Sequence, residues 1–254
     1  KKRFVLLSAL FLSFKFIFSQ SINPDNVKSI SFQKQNENKF SNIFVGTINE
    51  KFSLSFDILS GLEHDLYYVI EHCDFNWEKS QLIKSEYIQG FDDVKIDNYL
   101  SSFNTYQIYT HYNISFPNSN TSFKKSGNYI IKIIDEYGDE IFRRKFILYE
   151  NLVTVQTEIK RSREIEFINE KQVVNFEINP INIQLNNPSK TVKVKVFKNN
   201  ELNYSIDNIK PQYNMGRKLI YKYDKELSFW GGNEYLFFEN KFVRNQASIL
   251  EVLI

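Results

Sequence analysis

Apolar and polar positions alternate with a period of two along most of this chain, and the 3.6-residue spacing of a helix hardly appears. Phe52-Ser-Leu-Ser-Phe-Asp-Ile58 sets Phe52, Leu54, Phe56 and Ile58 on one face, and Ile43–Ile48 alternates in the same way. In Leu66–Cys73, Leu66, Tyr68, Ile70 and His72 share one face while Tyr67, Val69, Glu71 and Cys73 share the other. Apolar or aromatic groups on both faces predict a central strand covered on both sides, ended by the turn formers Asp74 and Asn76. Trp77 is then expected to cap a core at the strand's exit.

Further on, Tyr106–Phe116 reads as a strand closed by Pro117-Asn-Ser-Asn. Ser126–Asp135 and Glu140–Tyr149 read as a hairpin turning at Gly138-Asp139. Glu78–Gly90 fits either a short helical turn or an extended crossing segment, and residues 91–105 read as a long loop of the kind that carries specific contacts. About seven strands between Ile43 and Tyr149 fit one β-sandwich of roughly 100 residues. Tyr129, just after Ser126-Gly127, stands where immunoglobulin-like sandwiches fold a tyrosine hydroxyl back onto the chain, with Ile131 in place of their cysteine.

A junction at Glu150-Asn151 precedes a second set of strands: Val153–Ile159, Gln172–Ile178, Thr191–Phe197 and Lys218–Tyr223. Val192, Val194 and Val196 face one way and Lys193 and Lys195 the other, as in a half-exposed antiparallel strand. Gly231-Gly232 marks a tight bend after Trp230. The fold class is therefore all-β, with tandem immunoglobulin/fibronectin-III-like antiparallel sandwiches over residues 21–150 and 151–254.

Composition changes this picture at the ends more than in the middle. Residues 1–20 pair a basic start (Lys1, Lys2, Arg3) with an apolar run, and read as a signal peptide cleaved near Gln20 or Ser21. No Met precedes Lys1, so at least one residue is expected to be missing there. The 254-residue chain has 32 basic residues, and removing the four in this segment leaves 28 against 30 acidic ones. A slightly acidic chain with no basic stripe argues against nucleic acid. Lys160-Arg161-Ser-Arg163, flanked by Glu158, Glu164 and Glu166, reads as a solvated strand end. Cys73 is the only cysteine, so packing rather than disulfides must hold the folded units, and its strand position predicts a buried, inert thiol.

Candidate chemistry is sparse. His72 and Cys73 project to opposite strand faces, and His64 and His111 add no zinc spacing, so no metal site is expected. His111 reads as a hydrogen-bonded residue of a sheet face. No nucleophile elbow, phosphate loop or dinucleotide fingerprint is present. Asp92-Asp93 and Asp135-Glu136 could in principle supply the two carboxylates a glycosidase needs, but acids in turns are usually solvated and such chemistry also needs a shaped pocket. The aromatics near the long loop, Tyr87, Phe91, Tyr99, Phe103 and Tyr106, read instead as exposed groups suited to a protein interface, or else half of them close the ends of the sandwich.

Tyr67-Tyr-Val-Ile-Glu-His-Cys-Asp-Phe-Asn-Trp77, with Ser80, Glu86-Tyr87, Gly90-Phe91, Ser102–Thr105, Tyr109–Tyr112, Phe116-Pro-Asn118 and Ser126–Tyr129, resembles the plug protein family of the Bacteroidetes type IX secretion system. The likeness runs from about residue 27 to 150, and Gly231-Gly-Asn-Glu-Tyr235 resembles a motif of the family's following domain. The family continues past that motif, so the second sandwich is expected to be cut short on its C-terminal side. The resemblance implies a non-enzymatic periplasmic protein, without cofactor or small-molecule substrate, peripheral to the outer membrane only through its partner. That partner is the translocon barrel, whose periplasmic opening the plug closes. The alternative, motivated by the tandem sandwiches alone, is an exported glycan-binding or glycan-cleaving protein. Within the plug reading, contact is expected along Trp77–Thr105, at Trp77, Tyr87, Phe91, Tyr99 and Phe103.

Overall fold

The computed structural model describes residues 24–35, 40–41, 43–199 and 201–232. The expected signal peptide and the Asn233-Glu-Tyr235 part of the second motif lie outside these residues, as does the expected C-terminal truncation. The chain divides into two compact units between Glu150 and Asn151.

The first unit holds β1 (Val27–Lys34), β2 (Phe40–Ser41), β3 (Phe44–Thr47), β4 (Phe52–Ile58) and β5 (Tyr67–Cys73). After the one-turn helix α1 (Lys84–Tyr87) come β6 (Ile88–Gly90), β7 (Val94–Lys95), β8 (Tyr99–Ser101), β9 (Thr110–Phe116), β10 (Thr121–Phe123), β11 (Gly127–Ile134) and β12 (Glu140–Tyr149). They build one sheet of order β2-β1-β4-β9-β8, a second of order β3-β12-β11-β5-β7, and a small β10-β6 pair. Among the described residues every strand pairing is antiparallel except β3 with β12, which run parallel.

The two large sheets pack face to face through aromatic rings. Phe56 meets Phe142 edge-on at 4.9 Å, Tyr68 meets Phe116 at 5.3 Å, and Phe32 lies 6.1 Å from Phe146. Burying each such side chain contributes about 1.5–3 kcal/mol. A core this rich in rings therefore stands without a disulfide, and Cys73 is a buried free thiol as expected. The alternation read in β4 holds, with Phe52, Leu54, Phe56 and Ile58 all buried. The hairpin also holds: β11 pairs with β12, and the Asp135 carboxylate accepts the Tyr137 and Asp139 amides across the turn, where Gly138 is left-handed.

Several expectations are corrected. The outer face of β5 is only half covered, since Tyr67, Val69 and Glu71 remain partly exposed; the inner face (Leu66, Tyr68, Ile70) is the core. The segment 91–105 is not one loop. Val94–Lys95 pairs with β5 in one sheet, and Tyr99–Ser101 pairs with β9 in the other, with buried Ile96 between them. Residues 106–109 are not strand; β9 starts at Thr110. Glu78–Gly90 supplies both readings, the helical turn α1 followed by β6.

The second unit contains β13 (Val153–Arg161), β14 (Lys171–Pro180), α2 (Pro188–Thr191), β15 (Lys195–Lys198), β16 (Glu201–Asp207), β17 (Tyr213–Met215), β18 (Lys218–Tyr221) and β19 (Ser228–Trp230). The sheet order is β13-β14-β18-β17, with β19 also on β14, beside a separate β15-β16 pair. Its core is smaller, gathered on Phe176, Ile178, Leu219, Tyr221 and Leu227. Val192, Val194 and Val196 pack against it as their parity predicts, although only Val196 is in a strand. Pro188 opens a helical turn there, and Thr191 Oγ1 donates to the Asn187 carbonyl, so the chain turns where a strand was expected to begin.

Candidate partner interface

The sequence-specific strings of the first unit fold onto one another. His72 Nε2 donates to the Ser126 carbonyl, and Nδ1 pairs with the Ser80 hydroxyl. The Asn128 side-chain amide donates to the Asp74 carbonyl at 2.7 Å. Tyr129 Oη donates to the Lys125 carbonyl at 2.7 Å, the folded-back corner expected of it. These residues fasten β5 to β11 and are committed to structure, so they carry no free chemistry.

The remaining candidate chemistry is also committed. His111 Nδ1 lies 2.6 Å from the Asp57 carboxylate, its direct cross-strand neighbour, and His64 pairs with Ser60. Among the described residues no group of three or more His, Cys, Asp or Glu converges as metal ligands do. The Asp92 carboxylate is only 3% exposed; it accepts the Ile70 amide at 2.8 Å and ion-pairs with Lys84. Asp135 is spent on its turn.

The five expected contact aromatics do not form one surface. Tyr87, expected to be exposed, is instead 4% exposed, because α1 rotates it inward, where its hydroxyl donates to the Ile70 carbonyl; it is a core residue. Trp77 caps no core. It sits half-exposed and left-handed in a turn held by the Asp74 carboxylate, with Lys145 Nζ 4.8 Å from its ring centre. Phe91 is 77% exposed beside the middle of β5, its backbone tied to Asn120 and Thr121. Tyr99 leans on Tyr112 and donates to Glu63. Phe103, 93% exposed, lies at the end of the unit away from Trp77, with the length of β5 between them, about 20 Å of strand.

Phe103 belongs to a different cluster. The β8–β9 hairpin carries Leu100 on β8, opposite His111, and Phe103, Tyr106 and Ile108 beyond the Ser101–Thr110 rung, all exposed, and Leu62 of the β4–β5 loop adjoins them. The two loops touch: the Leu62 carbonyl accepts from Thr110 Oγ1, and a Cβ on Gly61 would stand 2.5 Å from Ile108. The hairpin is internally bonded. Tyr109 N donates to Ser102 Oγ, and Thr105 Oγ1 donates to the Gln107 carbonyl and to Ser102 Oγ. Exposed apolar groups clustered on a braced loop are the kind of surface that partner sites use. Tyr106 was legible as an exposed aromatic. Leu62, Leu100 and Ile108 were not, because each stands beside a strand and reads as core.

Residues 27–150 match the family described as type 9 secretion system plug protein 1st domain. No curated protein matches the chain. Among solved structures, the crystal structure of a hypothetical protein from Parabacteroides merdae ATCC 43184 is similar at 27% identity and a TM-score of 0.80, covering 88% of this chain. The chain spans 57% of that protein's length. The likeness read from the strings of β5 and β11 is thus the same as the family match: residues 27–150 match the type 9 secretion system plug protein family through its first domain.

Proposed function

We propose that this protein is a non-enzymatic component of the type IX secretion system that closes the periplasmic opening of the outer-membrane translocon barrel. It works in the periplasm and is held at the outer membrane through that barrel. The observation that carries this reading is the family match over 27–150. Two features of the first unit support it. Its rings pack a tight core, and the cluster of exposed apolar side chains described above sits on a braced hairpin, as a docking element would. The Asp92 carboxylate is engaged with the Ile70 amide and Lys84, and Asp135 with its turn, so both have structural roles that need no glycan chemistry.

The test is affinity isolation of the tagged full chain from outer membranes in mild detergent. The translocon barrel is expected to co-purify, and its absence from the isolate overturns the reading.

A further inference from the structure

From Asn98 to Phe123 the chain has 26 residues without one Asp, Glu, Lys or Arg, in a protein that is 24% charged. The β8–β9 hairpin lies inside this stretch and is built from Phe, Tyr, Leu and Ile among Ser, Asn, Thr and Gln. Binding surfaces favour that mixture, since rings give contact area at low entropy cost and small polar groups give adaptable hydrogen bonds. The end of the sandwich around it is acidic. Asp57, Glu63, Asp65 and Asp97 flank the hairpin, and Asp135 and Glu136 line a cavity of about 200 Å³ together with Asp65 and His64 of the adjoining loop. Lys28 and Lys95 stand there as well, and Lys95 is paired with Asp65 at 2.7 Å. Of the charged residues named at this end, six are carboxylates and two are lysines.

We infer that the β8–β9 hairpin tip is the docking surface for the translocon, and that the translocon meets it with an apolar patch ringed by Lys and Arg. This rests on the plug reading above. Phe103 and Tyr106 are the anchors, because they carry the largest exposed area on the tip. The internal bonds of Ser102, Thr105 and Tyr109 fix the hairpin before binding, so little ordering cost remains. The acidic surround selects a basic rim and speeds encounter, an effect that salt screens over about 8–10 Å.

The experiment compares co-purification of the barrel with the wild-type chain, with F103A/Y106A, with W77A and F91A, and with E63Q/D97N, at low and high salt. Thermal unfolding checks that every variant is folded. F103A/Y106A is expected to lose at least about tenfold in association, with W77A and F91A near wild type. E63Q/D97N is expected to weaken association at low salt and to leave it unchanged at high salt. Wild-type levels for F103A/Y106A, or losses confined to W77A or F91A, overturn the tip as the docking surface while the plug reading stands. Tighter association of E63Q/D97N at low salt overturns the basic rim. A wild-type chain that recovers no barrel overturns both readings.

Discussion

The imidazole of His72 occupies the space that a side chain on residue 127 would need: a Cβ built on Gly127 falls 2.3 Å from His72 Nε2. The ring is held there by the Ser126 carbonyl and the Ser80 hydroxyl and lies edge-on to Tyr129, with centroids 5.0 Å apart. Gly127→Ala is therefore expected to destabilise by about 1–3 kcal/mol, through overpacking added to the strain of a side chain at a φ of 153°. In a His72→Ala background only the overpacking part is relieved and the backbone strain stays, giving a coupling above about 0.5 kcal/mol in a denaturant double-mutant cycle. Additive costs would show that the ring is not what the glycine accommodates.

Asp92→Ala leaves the Ile70 amide without its acceptor in a nearly buried setting and is expected to cost about 1–3 kcal/mol. Asp92→Asn keeps an oxygen facing that amide and should cost less. Urea titration of the two variants orders them. Equal stabilities would mean that water replaces the carboxylate.

Burial pushes the Cys73 thiol from its ordinary 9.0 up to about 11, with Glu71 and Asp74 adding to the effect. The folded state thus holds this proton more tightly than the unfolded state does. The resulting stability is whole below pH 9 and is lost as pH climbs through about 11. Desolvation moves Tyr221 the same way, to about 12, and Tyr129 further still. The denaturation midpoint is expected to fall above pH 9, with a smaller fall in Cys73→Ala. Near neutrality a thiol reagent should modify the native protein at least about a hundredfold more slowly than the unfolded chain.

Tip and core aromatics should separate cleanly in thermal unfolding. Phe103→Ala and Tyr106→Ala remove exposed rings and are expected to change stability by less than about 0.5 kcal/mol. Tyr87→Ala removes a buried ring that touches His72 and Tyr129, and should cost about 3–5 kcal/mol. A large loss from the tip variants would show those rings packed rather than presented.

Alternation made β4, β5, β11 and β12 readable, because their inner faces carry apolar groups at every second position, interrupted only by Arg144 in β12 and by His72 at the end of β5. It hid β1. There the register with β4 shifts between Lys28 and Ser31, and Ser29 is left-handed, so Val27 and Phe32 are both buried although five residues apart. Tyr87 was misplaced for a related reason: one helical turn reorients it, and a four-residue helix leaves no period to detect. Strands of two or three residues such as β7 and β8 also leave none, which is why a stretch that pairs with both sheets read as a loop. The docking tip was half legible. Phe103 and Tyr106 stood out as aromatics near a loop, whereas the contact between Gly61 and Ile108 that brings in Leu62 is tertiary and has no local sequence signal.

The β7–β8 segment has a mechanical consequence. Lys95 is hydrogen-bonded into the sheet of β5, and four residues later Tyr99 is hydrogen-bonded into the sheet of β9. Tension on the hairpin that follows is shared between both layers, through a tether too short to stretch. A load-bearing partner pulling on Phe103 would have to peel two sheets at once before the domain yields.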